Sequence, residues 1–179
     1  MLEQKNSFVS DCVGLLEQGI GLLQKLDSSL YVRTQGLHSR SGVGSHIRHC
    51  LDFIQSFLNG VEVGYADYNR RERDESVERY PSVAVRRIEE AIAALEALTI
   101  HDGGTPLLVS LEGNTDDSAT PAWCKSTMMR ELQFLQSHLT HHYALIALML
   151  RLQGFEPDVE FGVTPSTLRY WGNQEACVR

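Results

Sequence analysis

From Ser126 to Gly154 the chain contains no proline and repeats its apolar residues every three or four positions, the pattern of one long amphipathic helix. Ser126 or Thr127 can cap its start, Glu131 falls early in it, and Gly154 closes it after Leu152-Gln153. Such a helix must bury its apolar stripe against other elements, so the rest of the chain has to supply partners. Only five prolines occur in 179 residues, which leaves room for several long helices.

Three more helical segments answer that need. Phe8 to Leu30 carries Val9, Cys12, Leu15, Leu16, Ile20, Leu23 and Leu26 at helical spacing. Gly14, Gly19 and Gly21 weaken it locally and can let a neighbouring helix approach. After a loop from Thr34 to Arg40, Ser41 or Ser45 can cap a second helix that stops near Asn59-Gly60. Val61 to Tyr80 is polar, has no sustained period and reads as a long connection. Pro81 then opens a third helix running to Leu98, broken by His101-Asp-Gly-Gly-Thr-Pro106. Leu107 to Leu111 reads as a short strand before the last helix, and Glu112 to Pro121 is turn-rich. The tail from Phe155 to Arg179, with Phe155, Phe161, Tyr170 and Trp171, is expected to pack back on the helices and close over a site there. The expectation is one all-α domain over residues 1–179, a four-helix bundle with a long crossover connection.

A formal charge of −7 argues against a nucleic-acid footprint, since the Arg70, Arg71, Arg73 cluster is ringed by Glu72, Asp74, Glu75 and Glu78. With Tyr68, that cluster can meet a carboxylate-bearing substrate, although a solvated charge run is the plainer explanation. Cys12, Cys50, Cys124 and Cys177 lie far apart, with no CxxC pair, and are expected to be free thiols. The opening residues lack the apolar core of a signal peptide, and the run Tyr143 to Leu150 is far short of a membrane span. A cytoplasmic protein with no membrane partner is expected.

The last helix carries the chemistry. At about 100° per residue, Glu131, Leu135, His138, His142, Leu145 and Met149 fall within about 40° of one direction, so two imidazoles project into the core one turn apart. Burying both without a partner costs several kcal/mol, roughly, or forces both to stay neutral, and a metal ion removes that cost. A hydrogen-bonded histidine pair with no ion is the plainer alternative. A second pair, His46 and His49, lies on another expected helix, in a chain of only seven histidines. On that helix the apolar face centres on Val43, Ile47, Cys50, Ile54, Phe57 and Leu58; His46 lies about 70° from it and His49 about 130°, which favours His46. His141 points about 80° away from the His138/His142 direction, and His38 and His101 fall in loops. Glu131, about two turns before His138, can act as an acceptor that orients an imidazole, or simply answer the helix dipole.

Gly44-Ser-His46-Ile-Arg-His49-Cys-Leu-Asp52-Phe, together with Ser137-His-Leu-Thr-His-His142-Tyr-Ala-Leu-Ile, resembles the DinB/YfiT-like superfamily of four-helix-bundle metal-dependent proteins. The resemblance runs over most of the chain and includes Asp158 to Arg169. It implies a three-histidine site with one ligand from the second helix in a His-x-x-Asp setting and two from a later His-x-x-x-His. On this sequence those are His49, with Asp52 following, and His138 with His142; His46 stays as the alternate. Three protein ligands leave a position open, as at a catalytic site, and all-imidazole ligation suits zinc, nickel, iron or copper. Zinc or nickel is expected, with iron or manganese as alternatives. The resemblance further implies a transferase that uses a low-molecular-weight thiol; the site itself equally suits a metal-dependent transferase or hydrolase acting on a small molecule, and a homodimer is a further expectation. No catalytic residue and no organic cofactor site is assigned. The competing reading is a non-catalytic, metal-stabilised bundle or a metal- or stress-responsive binding protein.

Overall fold

The computed structural model describes residues 2–34, 41–98, 104–110 and 122–177. Among them the chain is mostly helical, with a small sheet: α1 (Leu2–Lys25), α2 (Ser28–Val32), α3 (Val43–Val63), β1 (Tyr65–Asp67), α4 (Glu75–Arg79), α5 (Pro81–Glu96), β2 (Pro106–Ser110), β3 (Cys124–Thr127), α6 (Met128–Leu152) and α7 (Pro165–Cys177). The turn-rich segment 112–121 and the loop at 35–40 lie outside the described residues, as do His38 and His101.

The first expected helix is divided. Asp27 accepts from the backbone N–H of Ser29 at 2.7 Å and restarts the chain as α2, because a short polar side chain satisfies a helix N-terminus better than it continues a helix interior. The second helix begins at Gly42 with no side-chain cap, so neither Ser41 nor Ser45 plays that part. It also runs past Gly60 to end at Gly64, whose φ of 85° is the left-handed conformation a helix stop requires. The connection from 61 to 80 is not structureless: β1 and α4 lie within it. The expected strand before the last helix is present as β2, the centre of a sheet ordered β1-β2-β3, with β1 parallel and β3 antiparallel to it. Pro81 opens α5 as expected, and Thr127 caps α6 by accepting from the Arg130 N–H.

The four long helices share one core. α1 and α3 each pack on both α5 and α6, burying Leu15, Leu16, Ile47, Phe57, Ile88, Leu132 and Ile146. Burying a side chain of this size contributes about 1.5–3 kcal/mol. Of the three glycines in α1, only Gly19 serves a close approach: the Tyr143 ring and hydroxyl occupy the space a Cβ would need, while nothing lies within 4 Å of the corresponding point at Gly14 or Gly21. The tail docks through Phe161, which stacks on Tyr143 at 4.8 Å, and through Lys25 with Asp158. Tyr170 and Trp171 remain exposed.

Candidate metal centre

α3 and α6 run antiparallel where they meet, since His46 faces His142 and His49 faces His138. The one-turn spacing on α6 sets His138 Nε2 3.2 Å from His142 Nε2. From α3, His49 Nε2 reaches to 3.1 Å from His138 Nε2. One ligand nitrogen from each of His49, His138 and His142 lies within 4.8 Å of the other two, and these three could hold a metal ion. With nitrogen about 2.0–2.1 Å from zinc, a tetrahedral arrangement separates ligand nitrogens by about 3.3 Å, close to the two measured gaps. The donor set fits a borderline-soft divalent ion.

His46 stands behind this group, with Nδ1 2.8 Å from Nδ1 of His142. The helical wheel favoured it over His49 because it assumed a single buried face. α3 is covered on more than one side: α5, α6, α4 and β1 all pack on it, and Leu51, Asp52 and Phe53 are buried along with the Ile47/Ile54 stripe. His49 lies one turn before Phe53 on the second stripe, with ring centroids 4.8 Å apart, and Phe53 also packs on His138 at 4.2 Å.

Burial, followed by the surrounding positive groups, depresses all of these imidazoles. His49 and His142 are pushed down to about 3 and His138 to about 4, from an ordinary 6.5. His46 moves the same way for the same first cause. Neutral rings, the form that ligates metals, are therefore favoured throughout.

The remaining expectations divide. Glu131 is buried, but its carboxylate accepts from Tyr68 Oη at 2.8 Å and from the Ser126 hydroxyl, not from an imidazole. Seven residues along a helix rise about 10 Å, too far for a carboxylate to reach His138. Tyr68 is itself buried, with its hydroxyl turned toward Glu131. Asp52 is also buried, and it pairs with Arg48 rather than with a histidine. Burial raises its pKa, and Arg48 opposes that shift. Arg70 is 90% exposed and Arg73 is also exposed, in keeping with a solvated charge run. Arg71 differs: its guanidinium lies 2.9 Å from His49 Nδ1 and 5.0 Å above the Phe53 ring. Sequence reasoning placed it in a charge run and missed that neighbour, because loop residues carry no periodicity to fix direction. His141 is exposed and touches only the edge of the group through His142. Cys12, Cys50 and Cys124 are free; burial raises the first two thiols, so both stay protonated, and the Cys177 side chain lies outside the described residues. No helix of the described residues is long and apolar enough to cross a membrane.

No protein-family model matches the chain, and no solved structure matches it. Among curated proteins it is similar to FK506-binding protein 5 of Rhizopus delemar, at 28% identity over 158 residues. That match covers 88% of this chain and 36% of the relative, so the chain spans about a third of the length of the curated relative it matches.

Proposed function

We propose that this chain is a DinB/YfiT-like four-helix bundle that holds one divalent ion through His49, His138 and His142 and acts on a small molecule as a metal-dependent transferase, thiol-dependent in the fuller form of the reading, or as a hydrolase. The supporting observation is the convergence on His138. Its Nε2 carries either one hydrogen or one lone pair, so it can satisfy only one of its two contacts, to His49 at 3.1 Å and to His142 at 3.2 Å. Leaving such a contact unmet in a half-buried place costs about 1–3 kcal/mol. A cation shared by three lone pairs resolves the conflict.

Each neighbouring residue then has a task. Turning its Nδ1 lone pair toward His142, His46 would accept the Nδ1 hydrogen of that ring and keep His142 Nε2 open. Phe53 packs on two of the imidazoles and holds water away from them. A zinc or nickel ion would supply Lewis acidity, with at least one position left open by three protein ligands.

The second reading, a metal-stabilised bundle or sensor without catalysis, is favoured by one observation. A cavity of about 420 Å³ beside α3 is lined by Arg48, Asp52 and Arg71 but by none of the three histidines. Elemental analysis of untagged chain purified without added metal tests what both readings share. Close to one transition-metal ion per chain is expected, retained in His141→Ala. A metal-free protein that takes up neither zinc, nickel nor iron would overturn both.

A further inference from the structure

Arginine has hydrogen-bond donors and no acceptor. At 2.9 Å from Arg71, His49 Nδ1 therefore accepts, and the hydrogen of the neutral ring sits on Nε2. That is the nitrogen turned toward His138 and the rest of the cluster. Ligation by a neutral imidazole requires the reverse arrangement, with a lone pair on Nε2 and a hydrogen on Nδ1. A hydrogen on Nδ1 would point at a guanidinium that cannot receive it.

Resting on the metal-binding reading above, we propose that Arg71 is a latch: its donation to His49 Nδ1 holds that ring in the tautomer that cannot ligate, and three-histidine metal loading requires Arg71 to let go. The contrast with His142 makes the point. The group behind His142 is another imidazole, able to accept, whereas the group behind His49 can only donate. In the closed position Arg71 is further held over Phe53, a cation–π contact worth about 0.5–1 kcal/mol near a surface. A place to go also exists. Arg71 lines the 420 Å³ cavity together with Asp52, a carboxylate already within its electrostatic reach. Swinging outward exchanges an imidazole partner for a carboxylate and leaves His49 free to turn its lone pair inward. Arg71 is thus a positioning residue that sets affinity at a site it does not enter.

Zinc titration of the metal-free 179-residue chain against a chromophoric chelator, alongside ¹⁵N NMR of its histidine rings, tests this. Wild type should show His49 protonated at Nε2 and unprotonated at Nδ1. Arg71→Met should lose that tautomer preference and bind zinc about tenfold more tightly, the scale of effects from groups behind a ligand. Arg71→Lys, which keeps a donor-only cation, should stay near wild type. Should the methionine variant fail to fold, Arg71→Gln serves, because its amide oxygen can accept from Nδ1–H and should also tighten binding. Equal or weaker zinc binding in a folded Met or Gln variant would overturn the latch. A wild type that binds no zinc would remove the metal reading and the latch together, whereas zinc binding with His49 already protonated at Nδ1 would sink the latch alone.

Discussion

Two buried polar groups flank Phe53 and Tyr68, and they are built on opposite principles. On one side, Glu131 offers two acceptor oxygens to two hydroxyl donors, Tyr68 and Ser126, and each donor has its acceptor. On the other, three imidazoles aim the same kind of atom at one another, and His138 cannot satisfy both neighbours. A network complete within itself is a structural element, here tying β3 and the residue that follows β1 to the first turn of α6. A network that cannot be completed by its own members leaves a place for a partner from outside, which is the ground of the metal-binding proposal. Both are half or fully buried and both are polar, so burial alone does not mark a functional site; the balance of donors and acceptors does.

The comparison breaks most visibly in metal affinity. On the proposed ligand set His142→Ala removes one of three nitrogens and should weaken zinc binding by more than about 100-fold, beyond the roughly 10–100-fold expected of His46→Ala, which removes only the group behind it. Chelator competition on both variants measures this. If His46→Ala proves the more damaging, the ligand set has been drawn one turn out of place on α3.

The second measurement moves to the complete network. Tyr68→Phe leaves Glu131 one donor short and should lower unfolding stability by about 1.5–3 kcal/mol in a denaturant titration, with zinc affinity unchanged. A parallel fall in zinc affinity would mean that the two clusters are one unit, joined through the Phe53–Tyr68 stack at 5.1 Å.

The smallest effect concerns protons. His49, His138 and His142 have folded values near 3 to 4, below the ordinary 6.5 of the unfolded chain. The unfolded chain therefore binds more protons in that interval, and the stability these rings contribute is intact above about pH 6.5 and lost as pH falls toward 4. Each ring should account for about 3–5 °C of the fall in melting temperature of chelator-treated protein between pH 7.5 and pH 5.5, and His138→Leu should lessen the fall by about that much. A melting temperature that is level across this range, or rises as pH falls, would contradict neutral buried rings.

Much of this was legible in the chain, and what escaped has identifiable causes. The α6 stripe placed His138 and His142 side by side, because i, i+4 spacing on a helix fixes direction. His49 was reached through the family resemblance and missed by the wheel, which takes one buried face where α3 has two. Asp27-Ser28-Ser29 held the signal that ends α1, a cap motif overlooked inside a continuing apolar period. Glu131 was given the right face but the wrong partner, since a wheel records angle and discards the rise along the axis. Arg71 could not be read at all: in an irregular loop, neither period nor charge tells which of three arginines turns inward.

The sheet described above has a consequence for tolerance. β1 leaves the C-terminal end of α3 through Gly64, β3 runs directly into α6, and β2 joins them by ladders in fixed register. The three strands therefore act as a gauge block set between the two helices that carry the histidines. Sliding α6 by one residue along its axis would shift His138 and His142 by about 1.5 Å relative to His49, several times the roughly 0.2 Å latitude a metal site allows. A β-ladder permits no such partial step: its next side-chain-preserving register is two residues away, about 6.6 Å, so the alignment is held in one place or lost altogether.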